Sequence, residues 1–319
     1  MTQYQVKKIN YFIIGIVILV LLFFIISGNK KPSVPPDQIN WKSIRAQDIP
    51  TIRESGWGTP QLVEASTPNW EDSAYISADG NKLYFDYYPR DLISDVARRQ
   101  FSDDLDYYVS EKPFTTRTKL TQYYLAEDIW SEAGVMIDGS DIYYSSNRNL
   151  NWANDKKSDQ NIYLNDQRLA FNDIVADSNW GNPHYCAAKD ELWFDEDDKR
   201  MWLLTNAKAD NWAGTPALAP IPLQVNSYSN FQPFLTEDCN TMYFSTNRGN
   251  IPGFLGPAIY KSTRNADNTW LNPVLVMHSK VGVGEPTLTA DGKRLFFVQL
   301  FKDEETDTYN SDMFYVEKE

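Results

Sequence analysis

The amino-acid sequence predicts an all-β fold, a five-bladed β-propeller with four-stranded blades, preceded by one transmembrane helix. A pattern of two short apolar runs around a tight turn occurs five times along the chain. Aromatic residues make up 14% of the sequence, and such residues suit the half-buried faces of strands. Because no helical periodicity separates the copies, we expect strands to fill the spaces between them.

Each copy of the repeat has 13 residues and is typical of two antiparallel strands joined by a tight turn, often written Asp-Gly. The copies occupy residues 73–85, 132–144, 182–194, 232–244 and 285–297. Their closing aromatic pairs recur at intervals of 50 to 59 residues and begin at Tyr84, Tyr143, Trp193, Tyr243 and Phe296. This spacing leaves room for two more strands in each unit, which predicts a propeller blade.

Strand signals for the rest of each blade follow the repeats. A third strand is predicted at residues 104–110, 160–164, 199–204, 257–262 and 311–317. A fourth strand carrying Trp, Pro and Leu is predicted at 212–218 and 270–275. The fifth copy ends after its third strand, and residues 56–65 carry the same Trp, Pro and Leu spacing. We therefore expect this N-terminal strand to close the last blade, which removes an open sheet edge.

These segments resemble the repeats of TolB-like, WD40-like propellers, often called PD40. The Asp-Gly turn and the Ser-Ser-Asn-Arg segment of that pattern match at residues 79–85, 291–297, 145–148 and 245–248. The third copy departs from the pattern, with Lys189 and Asp190 where Asp-Gly is usual. The resemblance covers residues 56–319 and implies a propeller, often outside the cytoplasm, with no single activity.

Residues 11–26 form an uncharged, strongly apolar run. With the two residues before it, the run makes a helix of about 27 Å, at the short end of what spans a bilayer. A cleaved signal peptide is the alternative, but the small residues of a cleavage site are missing. We expect a short tail at 1–8, an anchor at 9–27, a Pro-rich linker at 28–50 and the propeller at 51–319. A single-pass membrane protein with an extracytoplasmic propeller is the predicted arrangement.

Composition excludes several classes of function. The net charge of −13 disfavours nucleic acid as a partner, because an acidic surface repels phosphates. With only His184 and His278, a His-rich metal centre is impossible, and no G-x-S-x-G nucleophile motif is present. Neither a cofactor nor a metal is predicted. Cys186 and Cys239 fall near the same end of neighbouring blades. They either form a disulfide or remain unpaired, and the sequence leaves both alternatives open.

The mouth of the central channel is the predicted ligand site, because the first strands of all blades begin there. The polar candidates are Asp72, Glu132, Asn182, Gln232 and Glu285, and the aromatic candidates before them are Trp70, Trp130, Trp180 and Tyr228. Convergent acids and amides over aromatic rings suit a sugar. Mutual hydrogen bonding and blade packing are the structural alternative. For the acidic runs at 195–198 and 303–305, a solvated turn is favoured over a calcium site.

Two functions follow from this interpretation. The favoured one is a non-catalytic, membrane-anchored module that binds a protein or a glycan, because no catalytic motif is recognisable and no catalytic residue is assigned. The alternative is a carbohydrate-active enzyme of the glycoside hydrolase type, with Asp72, Glu132 and Glu285 as its acid, base and helper. An enzyme requires a carboxyl group with a raised pKa facing another carboxyl across roughly 5–10 Å, whereas a binding module predicts charged, solvated acids with no such pair.

Overall fold

The computed structural model describes residues 34–98, 105–121, 132–148, 160–174, 179–221, 228–247 and 256–319. Within these ranges no helix is both long and apolar enough to cross a membrane. The predicted tail and anchor, residues 1–8 and 9–27, lie outside the described residues.

Five antiparallel sheets form the five predicted blades, which confirms the propeller and its four-stranded blades. Blade 1 contains β3 (Trp70–Ile76), β4 (Lys82–Tyr88), β5 (Asp106–Glu111) and β6 (Thr118–Lys119). Blade 2 contains β7 (Glu132–Asp138), β8 (Asp141–Ser146), β9 (Asn161–Leu164) and β10 (Gln167–Arg168). Blade 3 contains β11 (Trp180–Cys186), β12 (Glu191–Glu196), β13 (Arg200–Thr205) and β14 (Ala217–Leu218).

The last two blades each take a strand from the N-terminal part of the described chain. Blade 4 contains β15 (Asn230–Leu235), β16 (Thr241–Thr246), β17 (Ala258–Thr263) and β18 (Val274–His278), with β1 (Thr51–Ile52) added at its edge. Blade 5 contains β19 (Gly282–Leu288), β20 (Arg294–Asp303) and β21 (Thr308–Glu317), with β2 (Gln61–Leu62) as its fourth strand. The predicted closure of the ring is therefore confirmed, whereas the fifth strand of blade 4 was not predicted.

The first strand of every blade carries a bulge near its start. The pairing shifts between residues 72 and 75, 133 and 136, 181 and 184, 231 and 234, and 284 and 287. The first bulged residue has a φ between 49° and 68° in all five strands. Such bulges turn side chains and backbone groups away from the hydrogen-bonded strand ladder. The five bulges lie at equivalent positions of the first strands, and therefore at the same height along the central axis.

Aromatic side chains fill the junctions between blades. Trp212, which precedes the outer strand of blade 3, packs on Tyr143 of blade 2 with ring centroids 5.7 Å apart. Trp270 of blade 4 packs on Trp193 of blade 3 at 5.6 Å. The Trp that marks the predicted fourth strand thus packs between neighbouring blades, which explains why it recurs in the sequence.

A short N-terminal segment is held against blades 4 and 5. It contains a 3₁₀ turn at Pro36–Gln38 and helix α1 (Trp41–Gln47). The Arg45 guanidinium donates to the buried Asp312 carboxylate with an Nε–Oδ2 distance of 2.7 Å. Asp48 accepts a hydrogen bond from the Lys280 backbone N–H at 2.9 Å. A second helix, α2 (Leu92–Arg98), lies between β4 and β5 in blade 1.

Cys186 and Cys239 form a disulfide, which decides the alternative left open by the sequence. The bond joins the end of β11 in blade 3 to the hairpin of blade 4 and closes a loop across 53 positions of sequence. Both cysteines are buried. The cross-link therefore ties two neighbouring blades together near their hairpin turns.

We expect loss of this disulfide to lower the free energy of unfolding by about 2–4 kcal/mol, because a cross-link restricts the unfolded chain. Denaturant unfolding with and without a reductant measures the effect. The double variant Cys186→Ala/Cys239→Ala is the control and should be unresponsive to reductant. Equal stability of the oxidised and reduced wild type would contradict this expectation.

Candidate functional site

The five bulged residues meet around the propeller axis and line a small cavity of ≈ 40 Å³. They are Ser73, Gly134, Asn182, Gln232 and Glu285. This cavity lies toward the face that carries the loops entering each first strand, which we call the loop face. The opposite face carries the hairpins between first and second strands, and we call it the turn face.

Gly134, and not the predicted Glu132, occupies the fifth equivalent position. Asp138 pairs with Asp141 in blade 2, so the hairpin turn holds two residues. In blade 1 the Ser77 N–H donates to the Lys82 carbonyl, which leaves four residues in the turn. The shorter turn moves the register of blade 2 by two residues, so aligning the Asp-Gly turns placed Glu132 wrongly among the equivalent residues.

Only glycine fits at residue 134. Its φ is +68°, and a Cβ there would lie 2.8 Å from both the Cα and the Oδ1 of Asn182. The first strands of blades 2 and 3 therefore approach each other more closely than a side chain would allow.

Gln232 links two acidic groups on either side of it. Its Nε2 donates to Glu285 Oε1 at 2.5 Å, and its backbone N–H donates to Asp195 Oδ2 at 2.9 Å. Its own Oε1 accepts from Ser245 Oγ at 2.6 Å. Three of the predicted polar residues, Asn182, Gln232 and Glu285, are thus brought together at the cavity.

Asp72 and Glu285 form a hydrogen-bonded carboxyl pair that spans blades 1 and 5. Burial raises the pKa of Glu285 well above its usual range, and the charge and hydrogen bond of Asp72 raise it further. Burial also raises the pKa of Asp72, but hydrogen bonds from Glu285 and from Trp70 Nε1, at 3.0 Å, oppose the increase. The increase is larger at Glu285 than at Asp72, so the pair favours a shared proton on the Glu285 side.

Asp195 and Asp198 of blade 3 add two further acids at the same height. Burial raises the pKa of Asp195 to about 6, while donors at Gln232 and Asn182 limit the increase. Asn182 Nδ2 donates to Asp195 Oδ2 at 2.8 Å. Burial raises the pKa of Asp198 well above its usual range, and the charges of Asp195 and Asp72 add to this. The expectation of a solvated turn at 195–198 is wrong for these two residues, because both are buried.

Asp86, on β4 beside Asp72, lies deeper in blade 1. Burial raises its pKa well above the usual range, and the Asp72 charge raises it further, although Ser73 and the Gly134 N–H lower it. Neither of its carboxyl oxygens makes a hydrogen bond of ordinary geometry within the described part of the chain. Glu132 lies near Asp86 and accepts from Ser146 Oγ at 3.0 Å.

The structure does not gather the predicted aromatic residues at the cavity. Trp70 packs among Tyr88, Leu92 and Leu105 in the core of blade 1. Trp180 is fully buried against Phe171 and Phe194 between blades 2 and 3. Tyr228 is half-buried before the first strand of blade 4, and Trp130 lies outside the described residues.

Sequence reasoning missed Asp86 as a site residue and treated Asp195 and Asp198 only as part of an acidic run. Asp86 and Asp195 each follow a closing aromatic pair directly, at the position where the copies of blades 2 and 4 have Ser145 and Ser245. An acid in place of a small hydroxyl residue in the second strand was the available signal. Across the seven described ranges, no group of three or more His, Cys, Asp or Glu residues is arranged to hold a metal ion.

Comparison with known proteins supports the fold alone. No protein-family model matches the chain, so the resemblance to TolB-like repeats finds no support there. No curated protein sequence matches it either. Among solved structures, an endo-arabinase from Bacteroides thetaiotaomicron is 14% identical with a TM-score of 0.46, and the match covers 79% of this chain and 95% of that one.

Two other structures match at similar levels. An arabinanase from Bacillus subtilis is 8% identical, with a TM-score of 0.44 and coverage of 81% of this chain and 97% of its own. A puromycin hydrolase is 11% identical, with a TM-score of 0.39 and coverage of 80% and 41%.

The interpretation as a non-catalytic binding module is wrong. It required solvated, charged acids with no close carboxyl partner, whereas Asp72 and Glu285 are buried and hydrogen-bonded to each other. The raised pKa that the carbohydrate-active alternative requires is present at Glu285, but the hydrogen-bonded Asp72 is closer to it than the required separation of roughly 5–10 Å.

We expect Asp198→Asn to raise the melting temperature at pH 8, because the folded wild type binds the Asp198 proton more tightly than the unfolded chain does. Ionisation of this buried group therefore lowers stability as the pH rises. Below about pH 4 the two proteins should be equally stable, since the carboxyl is protonated in both states. Thermal unfolding across this pH range is the measurement, with the exposed Glu64→Gln as a control. A variant less stable than wild type at pH 8 would contradict the raised pKa.

Proposed function

We propose that the protein is a carbohydrate-active enzyme of the glycoside hydrolase type that uses carboxyl groups on the loop-face side of the channel. The observation that carries this proposal is the placement of two buried acids on either side of Gln232, namely Glu285, whose pKa burial raises well above its usual range, and Asp195. Hydrolysis of a glycosidic bond needs one protonated carboxyl and one carboxylate on opposite sides of the bond.

Glu285 is the proposed general acid. It lines the axial cavity, and its proton is retained by burial and by the hydrogen bond to Asp72. The Ser73 backbone N–H and Gln232 Nε2 hold its two carboxyl oxygens in place. A carboxyl group held in this way protonates the leaving oxygen of a sugar once its O–H turns from Asp72 to the substrate.

Asp195 is the proposed carboxylate. Gln232 donates its backbone N–H to Asp195 and its side-chain Nε2 to Glu285, so the two acids lie on different sides of Gln232. The pKa of Asp195, about 6, leaves this group ionised at neutral pH. Asp72 is too close to Glu285 to serve on the opposite side of a substrate, because the two carboxyls are hydrogen-bonded. Asp72 is therefore proposed to position Glu285 and to retain its proton.

The charge of the site supports a neutral sugar as substrate. Asp72, Asp195 and Asp198 lie near the cavity, and the part of its lining that the structure describes contains no Lys or Arg. A uronate would bring a further negative charge into this acidic, poorly solvated region. We therefore propose neutral glycans as the substrate class.

We expect Glu285→Gln to lower kcat on a hydrolysed glycan by about 10²–10⁴-fold, because the transferred proton is lost. A panel of neutral and uronate-containing polysaccharides, followed by release of reducing ends, identifies the substrate. The pH profile of kcat/KM should be bell-shaped with an acid limb near the Asp195 pKa of about 6. Asp195→Asn should remove that limb, and Glu64→Gln should retain full activity. Activity that persists in Glu285→Gln would overturn the proposed mechanism.

We also propose that residues 9–27 hold the propeller at a membrane on the extracytoplasmic side. The Cys186–Cys239 disulfide supports this location, because such bonds form and persist in oxidising compartments. Protease added to sealed, right-side-out vesicles should digest the propeller and leave a short membrane fragment. Protection of the propeller in these vesicles would place it in the cytoplasm and contradict the proposal.

A further inference from the structure

A second, larger cavity lies on the propeller axis at the turn face. Its volume is ≈ 270 Å³, and residues from the first strands and hairpins of all five blades line it. Its apolar walls include Met136, Tyr185, Leu235 and Leu288. The proposed glycan site uses the opposite end of the axis, so this cavity has no assigned role.

Three rings from different blades form the floor of this cavity. Phe234 and His184 have centroids 4.9 Å apart, and Tyr75 lies 6.4 Å from His184 and 6.5 Å from Phe234. The same three residues also line the small cavity beside Glu285. They therefore separate the two cavities, and a molecule on the turn face does not reach the acidic pair.

The lining of the turn-face cavity is negative. It includes Asp138 and Glu237, and no Lys or Arg is among the described residues that line it. His184 adds no charge, because its Nε2 accepts a hydrogen bond from the Leu235 N–H at 3.1 Å and burial lowers its pKa to about 4. The charges of Asp138 and Glu237 extend to the floor, where they contribute to a raised pKa of Tyr75.

We propose that this turn-face cavity binds a small organic cation, an ammonium group attached to an apolar or aromatic body. The aromatic floor attracts a cation through the faces of Tyr75 and Phe234, and the apolar walls accept the attached body. Asp138 and Glu237 compensate the charge of the bound ammonium group. The cavity is large enough for a ligand of roughly ten heavy atoms, at the lower end of small-molecule sites.

The test titrates the full-length protein in detergent with phenylethylammonium and with its neutral analogue 2-phenylethanol, by calorimetry. We expect the cation to bind at least about tenfold more tightly than the alcohol, because only the cation gains the aromatic and carboxylate interactions. Glu237→Gln and Asp138→Asn should each weaken its binding by about three- to tenfold. The exposed Glu64→Gln is the matched control and should bind as wild type does.

Ala187→Trp supplies a second test, because Ala187 is an exposed residue of the lining and a large side chain there should block the cavity. Glu285→Gln should leave binding of the cation unchanged, which separates this site from the glycan site. Equal affinity for the cation and the alcohol, or binding that survives both Ala187→Trp and Glu237→Gln, would overturn the proposal. Loss of binding in Glu285→Gln would place the cation in the other cavity and would overturn it as well.

Discussion

The convergence of five first strands at one axis is the constraint on which the rest of this structure depends. Each strand contributes a bulged residue with positive φ, and all five residues lie at the same height. The space between them is so small that residue 134 has to be glycine. Polar groups placed there have little access to water, so they must satisfy one another, and this requirement produces the chain from Ser245 through Gln232 to Glu285.

The same constraint explains the electrostatics of the channel. Carboxyl groups are brought together in the channel, and burial makes their ionised forms unfavourable, while the Lys199 charge offsets only part of this at Asp198. Hydrogen bonds offset the cost of burying these charges to different extents. Asp195 accepts two hydrogen bonds. Among the described residues, Asp198 Oδ2 and both carboxyl oxygens of Asp86 accept none of ordinary geometry. Unequal support pushes the pKa values of neighbouring acids apart, which is the property that acid–base catalysis requires. A channel that served stability alone would gain from amides in these places.

The repeat predicted the blades well because a strand pair, its turn and its inter-blade tryptophan all leave local marks in the sequence. Ring closure was predictable for the same reason, since β2 carries the outer-strand signal. The register of blade 2 was not, because Asp79-Gly80 lies inside the four-residue turn of blade 1, whereas Asp138 is the last strand residue before the two-residue turn of blade 2. The sequence predicted only part of the acid cluster. Asp86 and Asp195 lie on second strands and Asp198 lies in a turn, so their approach to the axis depends on how whole blades pack together.

The proton held between Asp72 and Glu285 is the central claim, and infrared spectroscopy tests it most directly. Difference spectra of wild type and Glu285→Gln at pH 7 report the stretching band of a protonated carboxyl group, which carboxylates lack. The account predicts such a band in the folded wild type and its loss in the variant, with no corresponding loss in Glu64→Gln. Absence of a protonated carboxyl band that depends on Glu285 would show that both acids are ionised, and would contradict the proposed general acid.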